Sequence, residues 1–296
     1  MRRTSLALAV LLAATSASQG QQEVEWKQTL SVPKGAHMPR DRADILGIEL
    51  GDTYAEVKEK LTKIWEEGVQ PKTGRKYFDN HTLTEKTERA PIPVKEEKAI
   101  FRLDAPGSQM IATASYVKRL EMERHLQSSV PDRATHDKIQ VYLSAPASGH
   151  QVIGINRTIS YQNEQDQPRV SEILDQLGRK MKGQPHVRLV GSSGDYTFQF
   201  DQGDPVLQTT SGESICFPKH ESGNAEDIQR TNPQGTCDAM LRLTVQFGLS
   251  RDHARHLTFI LSDLERTKAN RAADFAFVRS YVRSMQERTR GTAPKL

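Results

Sequence analysis

Chemistry in a polypeptide needs ligands, nucleophiles or proton carriers at workable spacing, and this chain offers few. The nearest approach to a metal site is His253-x-x-His256, with Asp252 beside it. Two imidazoles three positions apart share a face on a helix, but this segment reads as a turn entering a strand, where residues three apart point to opposite faces. Zinc would also need a third and a fourth ligand. His253 and His256 are therefore the metal candidates, with ordinary surface histidines as the plainer reading. Cys216 and Cys237 stand 21 positions apart, which is not redox CxxC spacing, and the intervening segment holds a single histidine, His220. The expectation is one structural disulfide, Cys216 to Cys237, pinning the base of a polar loop. Closing such a loop would stabilise the fold by about 3 kcal/mol in the chain-entropy picture.

Other chemistries lack an anchor. There is no G-x-S-x-G, and Gly191-Ser192-Ser193-Gly194 is a turn. No phosphate-binding loop or dinucleotide fingerprint is present. The carboxylates are numerous but stand in no recognisable acid–base context. No catalytic residue and no cofactor are expected.

The first residues state an address. Arg2 and Arg3 precede an uncharged run from Leu6 to Ala14, and small residues follow through Thr15, Ala17 and Ser18. That order is the one a secretory signal peptide needs, with cleavage near Ala17 to Gly20. Nine apolar residues give only about 14 Å of helix, less than half of a hydrocarbon core. The expectation is Sec export to a periplasm, an oxidising space that suits a two-cysteine protein. No other apolar run is long enough to cross a membrane, so no transmembrane segment is expected after signal removal. Removing Arg2 and Arg3 leaves 39 basic against 37 acidic residues. The charges are interspersed, so nucleic acid is not an expected partner.

Behind the leader, residues 21–42 read as an extended lead-in in which Val24, Trp26 and Leu30 alternate. Ile45 to Leu50 is a short apolar run broken at Gly51-Asp52. Thr53 and Glu56 have capping-box spacing, and Val57, Leu61 and Ile64 make a helix face that stops near Gly68. Residues 69–98 read as a polar loop insertion. Strands are expected at 99–104, 110–120, 138–145, 151–161, 195–201, 239–247 and 256–264, with 115–127 ambiguous between strand and helix. A second helix spans Pro168 to Met181, with Pro168 at its first position. A last helix spans about 264–288 and buries Phe275, Val278, Val282 and Met285, leaving Arg271, Arg279 and Arg283 outward. Arg279, Arg283, Arg288, Arg290 and Lys295 read mainly as a solvated face, with contact to anionic lipid or an acidic partner as the alternative.

A weak internal repeat links these elements: Leu46-Gly47-Ile48 with VKEKL, and Ile153-Gly154-Ile155 with VSEIL. It predicts an α+β fold of two tandem helix-plus-antiparallel-three-stranded-sheet units with a C-terminal helix. The division would be a signal peptide at 1–20, a first unit at 43–161, a second at 162–288 carrying the disulfide loop, and a tail at 289–296.

The segment ILGIELGDTYAEVKEKL resembles the opening of uncharacterised proteobacterial periplasmic proteins, and VIGINRTISYQNEQDQPRVSEILDQLGRKMKGQP is similar to their strand–helix unit. Their Lys-Tyr-Gly-x-Pro phrase loses its tyrosine here, at Lys182-Gly183-Gln184-Pro185. At the level of fold, the repeat over residues 44–285 resembles assembly lipoproteins of the SmpA/OmlA type and β-lactamase inhibitor proteins. The chain departs from them in having no lipobox cysteine and a large insertion at 69–98. What the resemblance implies is a non-catalytic periplasmic binding or assembly module acting on another envelope protein. A hydrolase inhibitor and a metal-dependent enzyme are the alternatives.

Overall fold

The computed structural model describes residues 22–34, 37–38, 44–68, 76–79, 84–87, 93–104, 110–126, 135–206 and 238–289. The leader at 1–20, Cys216, Cys237, Arg290 and Lys295 lie outside the described residues.

Thr53 caps the first helix as its spacing predicts. Its hydroxyl accepts the Glu56 N–H at 3.4 Å, and the Glu56 carboxylate accepts the Thr53 N–H at 2.7 Å. That backbone hydrogen bond, with Lys34 and the Thr53 hydroxyl adding to it against burial, holds the Glu56 carboxyl down at about 2. Helix α1 (Tyr54–Glu66) follows and buries Val57, Leu61 and Ile64. Just upstream, the apolar run is no continuous strand. Leu46 and Gly47 take φ of 52° and 76° and turn the chain between β2 (Asp44–Ile45) and β3 (Ile48–Glu49). Two left-handed residues make the tight hairpin turn that matches strand twist. Leu46-Gly47-Ile48 therefore has no structural counterpart in Ile153-Gly154-Ile155, which lies inside a central strand.

The tandem-unit expectation is overturned by the strand pairing. The core is one ten-stranded sheet in the order β1-β7-β8-β9-β14-β13-β11-β10, with β6 on β7 and β12 on β11. Its members are β1 (Gln22–Glu23), β6 (Lys95–Asp104), β7 (Met110–Leu126), β8 (Thr135–Leu143), β9 (Val152–Ser160), β10 (His186–Val190), β11 (Ser193–Asp201), β12 (Asp204–Pro205), β13 (Ala239–Phe247) and β14 (Ala254–Asp263). All pairs are antiparallel except β1 on β7. The pair β9–β14 joins the two sequence halves, with Ile155 opposite Leu261. No independent three-stranded unit remains on either side. The ambiguous stretch after Ser115 is strand. Within the predicted loop insertion, β4 (Lys76–Asp79) and β5 (Thr84–Thr87) form a small hairpin, and β6 already begins at Lys95.

Both early helices lie on one face of this sheet. Val57, Leu61 and Ile64 of α1 share a core with Leu120, Met122, Ile139, Val141, Ile155, Phe198 and Leu241. Helix α2 (Val170–Met181) adds Met181 and Leu177 there, and Ile173 and Leu174 over Leu243, Val245 and Leu257. Its N-cap is Arg169 without a side-chain cap, so Pro168 stands outside the first helical position, its carbonyl accepting the Ala254 N–H. It ends through Lys182 in the left-handed region.

Helix α3 (Leu264–Thr289) packs against the other face. Leu264 meets Met240, and further along Phe277, Val278, Tyr281 and Val282 cover Val24, Trp26 and Ala114. Its inner side differs from the apolar stripe predicted. Arg266, Thr267, Asn270 and Arg271 are buried, whereas Phe275 and Met285 are only half-buried. Arg271, read as outward, points in; Arg279 and Arg283 are exposed. Among the described residues no helix is long and apolar enough to cross a membrane.

Candidate functional site: the open end of the sheet

Among the described residues α3 covers only one end of its face, and the other end of that face stays open. The register defines what it presents. His125, His136, Ser160, His256, Gln246 and Ser193 form one cross-strand row over six strands. The next row is Glu123, Lys138, Thr158, Thr258, Thr244 and Asp195, and the third is Glu121, Gln140, Asn156, Ile260, Arg242 and Thr197. Most of these side chains are half-exposed, Thr197 being buried. The alternate residues on the same strands fill the helix-covered core, so the period of two that builds the core also lays out this polar surface.

Hydrogen bonds organise the surface. Arg242 donates from Nη2 to Asp195 Oδ2 at 2.8 Å, and the Thr244 hydroxyl donates to Oδ1 at 2.7 Å. Burial pushes the Asp195 carboxyl up, but these two donors and the guanidinium charge outweigh it and hold it below the usual range. Gln140 donates to Glu121 at 2.8 Å, and Lys138 pairs with Glu121 at 3.1 Å. In the histidine row, Ser160 Oγ and His256 Nδ1 lie 2.7 Å apart, and burial lowers the His256 pKa, favouring the neutral ring. The rings of His125 and His136 are in edge contact with centroids 4.5 Å apart.

His253 and His256 are not brought together. His253 pairs through its backbone with Arg169 at the entry to α2, and His256 sits inside β14 against Ser160. No group of three or more His, Cys, Asp and Glu among the described residues is arranged to hold a metal ion. Ser160 and His256 have the contact of a nucleophile and base, yet a flat sheet row brings no oriented third group or backbone oxyanion donors to them in any observed contact.

Sequence reading missed the buried charge clusters. On the helix-covered face Asp137 is fully buried, accepting from Arg157 Nε at 2.9 Å, Arg157 Nη2 at 3.0 Å and Arg124 Nε at 3.0 Å. At the start of α3, Asp263 accepts the Arg266 N–H at 2.7 Å and contacts His37 Nδ1 at 2.8 Å, which raises the His37 pKa. The wholly buried Arg266 donates to the Val32 and Pro33 carbonyls and to Gln151. Asp52, also fully buried, binds Lys34 at 2.5 Å and Lys60 at 2.6 Å. The Asp137 cluster ties β7, β8 and β9 together. The Asp263, Arg266 and Asp52 clusters tie the lead-in to the body, through contacts as far as 234 positions apart that no local pattern discloses.

Fold and surface together define a β-rich chain built on one large, mostly antiparallel sheet, with α1 and α2 on one face, α3 over part of the other, and an open polar end beside α3 among the described residues. The chain matches no family model, no curated protein and no solved structure.

Proposed function

We propose that this chain is an exported, non-catalytic binding module that holds another envelope protein on the open end of its sheet. The observation that carries the reading is the set of three contiguous rows of mostly half-exposed, mostly hydrogen-bonding side chains of both charge signs, laid on a six-stranded platform. Such a surface suits polar, specific recognition: paired donors and acceptors fix register, and the sheet supplies preorganisation. Export and the Cys216–Cys237 bridge belong to the same proposal, resting on the leader and the even cysteine count. The hydrolase-inhibitor alternative is weakened because it leaned on a tandem-unit fold, and the metal-enzyme alternative because His253 and His256 diverge.

A photo-crosslinking residue placed at Thr258 should give one reproducible adduct in the envelope, and the same residue at Glu59, on the outer face of α1, should give none. Equal labelling at both positions, or none at Thr258, overturns the proposal. A second reading, strand addition at β10, is favoured by its position at the sheet's end and by Val187, Leu189 and Val190, which are 49%, 60% and 57% exposed. Under it, the adduct forms from a crosslinking residue at Leu189 rather than from one at Thr258.

A further inference from the structure

Independently of that partner, we propose that His125 and His136 form a two-imidazole chelate for a divalent transition-metal cation, copper(II) foremost. The two residues are directly opposed on neighbouring strands, so the backbone already fixes their approach. Their ring centroids are 4.5 Å apart with planes 67° apart. Two imidazoles that share an ion at about 2.0–2.1 Å with an N–metal–N angle near 90° have centroids about 4.5 Å apart. The apo arrangement therefore has the separation that chelation needs.

Each ring has one nitrogen whose surroundings leave it a lone pair. Among the described residues His125 Nδ1 is buried with no hydrogen-bond partner. A bare lone pair there costs less than an orphaned N–H, which favours the Nε2–H tautomer and leaves Nδ1 free to ligate. His136 Nε2 lies 2.9 Å from the Gln162 amide nitrogen, so the amide donates and Nε2 carries the lone pair. The opposite nitrogen, Nδ1–H, then faces Glu123 Oε1 at 3.9 Å. A carboxylate beyond the non-ligating nitrogen is the usual outer partner of a metal-bound histidine: it fixes the tautomer and raises ligand basicity. A metal would displace one exposed amide contact and relieve one unmet nitrogen.

Two protein ligands leave the other coordination positions to water, which is consistent with the absence of any three-ligand group among the described residues. So open a site follows the general affinity order of divalent ions, in which copper(II) leads nickel(II) and zinc(II), and it lacks the four ligands a structural zinc site takes. His256 belongs to the same row but is two strands further on, about 10 Å away by strand spacing. It cannot join the chelate.

The test is a titration of the tag-free full-length chain with copper(II), glycine present as a weak competitor, read by electron paramagnetic resonance. One equivalent with two-nitrogen hyperfine structure is expected. H125N and H136N should each weaken binding about tenfold or more and lose that structure, H253N and H256N should not, and E123Q should weaken binding by about tenfold at unchanged stoichiometry. Substoichiometric copper should also broaden the amide resonances of residues 124–126 and 135–137 before others in the unaltered protein, a readout that needs no variant to fold. Binding retained in both H125N and H136N, lost equally in H256N, or broadening centred elsewhere overturns the site.

Discussion

Asp274 gives the sharpest test of how α3 is seated. Its Oδ2 accepts the Ala145 N–H at 2.9 Å, and Ser148 donates to the carboxylate as well, yet among the described residues Oδ1 is buried without a partner. Burial dominates and pushes the carboxyl from 3.8 up to about 6, against those hydrogen bonds and the nearby Arg271 charge. The Tyr116 phenol faces the same group and is itself driven up to about 12, chiefly by burial. A folded-state value above the unfolded one means that the native protein holds the proton more tightly. Stability therefore falls as pH rises from about 4 to about 6, and the full cost is present at neutral pH. The interval from 3.8 to about 6 corresponds to about 3 kcal/mol. Asp274→Asn keeps an acceptor for Ala145 while removing the charge, but it forfeits the attraction of Arg271. We expect a net gain of about 1–2 kcal/mol at pH 7.5, or about 2–6 °C in melting temperature for a chain of this size. At pH 4 the gain should shrink towards zero. The assay is thermal unfolding of both proteins at half-unit steps from pH 4 to 8. Melting curves that stay parallel across that range would refute the seating of Asp274 described above.

Three further outcomes are expected. Asp137→Asn leaves the buried Arg124 and Arg157 guanidinium groups without their counter-charge and should cost about 3–5 kcal/mol, seen as a lower urea midpoint. Thr53→Ala removes the capping box and should cost about 1 kcal/mol in the same assay, with the helical signal of α1 reduced only slightly. Gly51→Ala forces φ of 90° on a side chain and sets its Cβ 3.1 Å from the Arg266 guanidinium, which is held by several hydrogen bonds and cannot yield. A loss of about 1–3 kcal/mol is expected, more than Gly47→Ala, where the added Cβ meets nothing within 4 Å.

What the sequence disclosed was local. The Thr53–Glu56 cap, the Val57-Leu61-Ile64 face and the alternation in β8 depend on neighbours a few positions away, and each appears in the structure. Strand partnership does not work that way. Val141 meets Ile155 in a hairpin that spacing suggests, but Ile155 meets Leu261 across a gap no local period encodes. That single pairing turns two imagined units into one sheet. The inner side of α3 was hidden for a related reason: Arg266 is buried because the remote Val32 and Pro33 carbonyls receive it, Arg271 lies beside Asp274, and a hydropathy pattern sees only their charge. Strand β10, implied only by the turn after it, could not be given bounds because four of its five residues are exposed and do not alternate. The histidine pair was invisible until register set His125 opposite His136, whereas His253 and His256, conspicuous by spacing, serve different neighbours.

Arg266 fastens the chain's opening segment to its closing helix, reaching Val32 and Pro33 from 234 and 233 positions away. Any process that delivers this polypeptide one end first, whether synthesis or threading through a pore, presents Val32 long before the guanidinium that secures it. Val32 and Pro33 must wait for the latest part to complete a fastening that Lys34 and β1 begin earlier. Completion of the fold is thereby timed to arrival of the final helix, and a product cut short ahead of Arg266 loosens its beginning as well as losing its end.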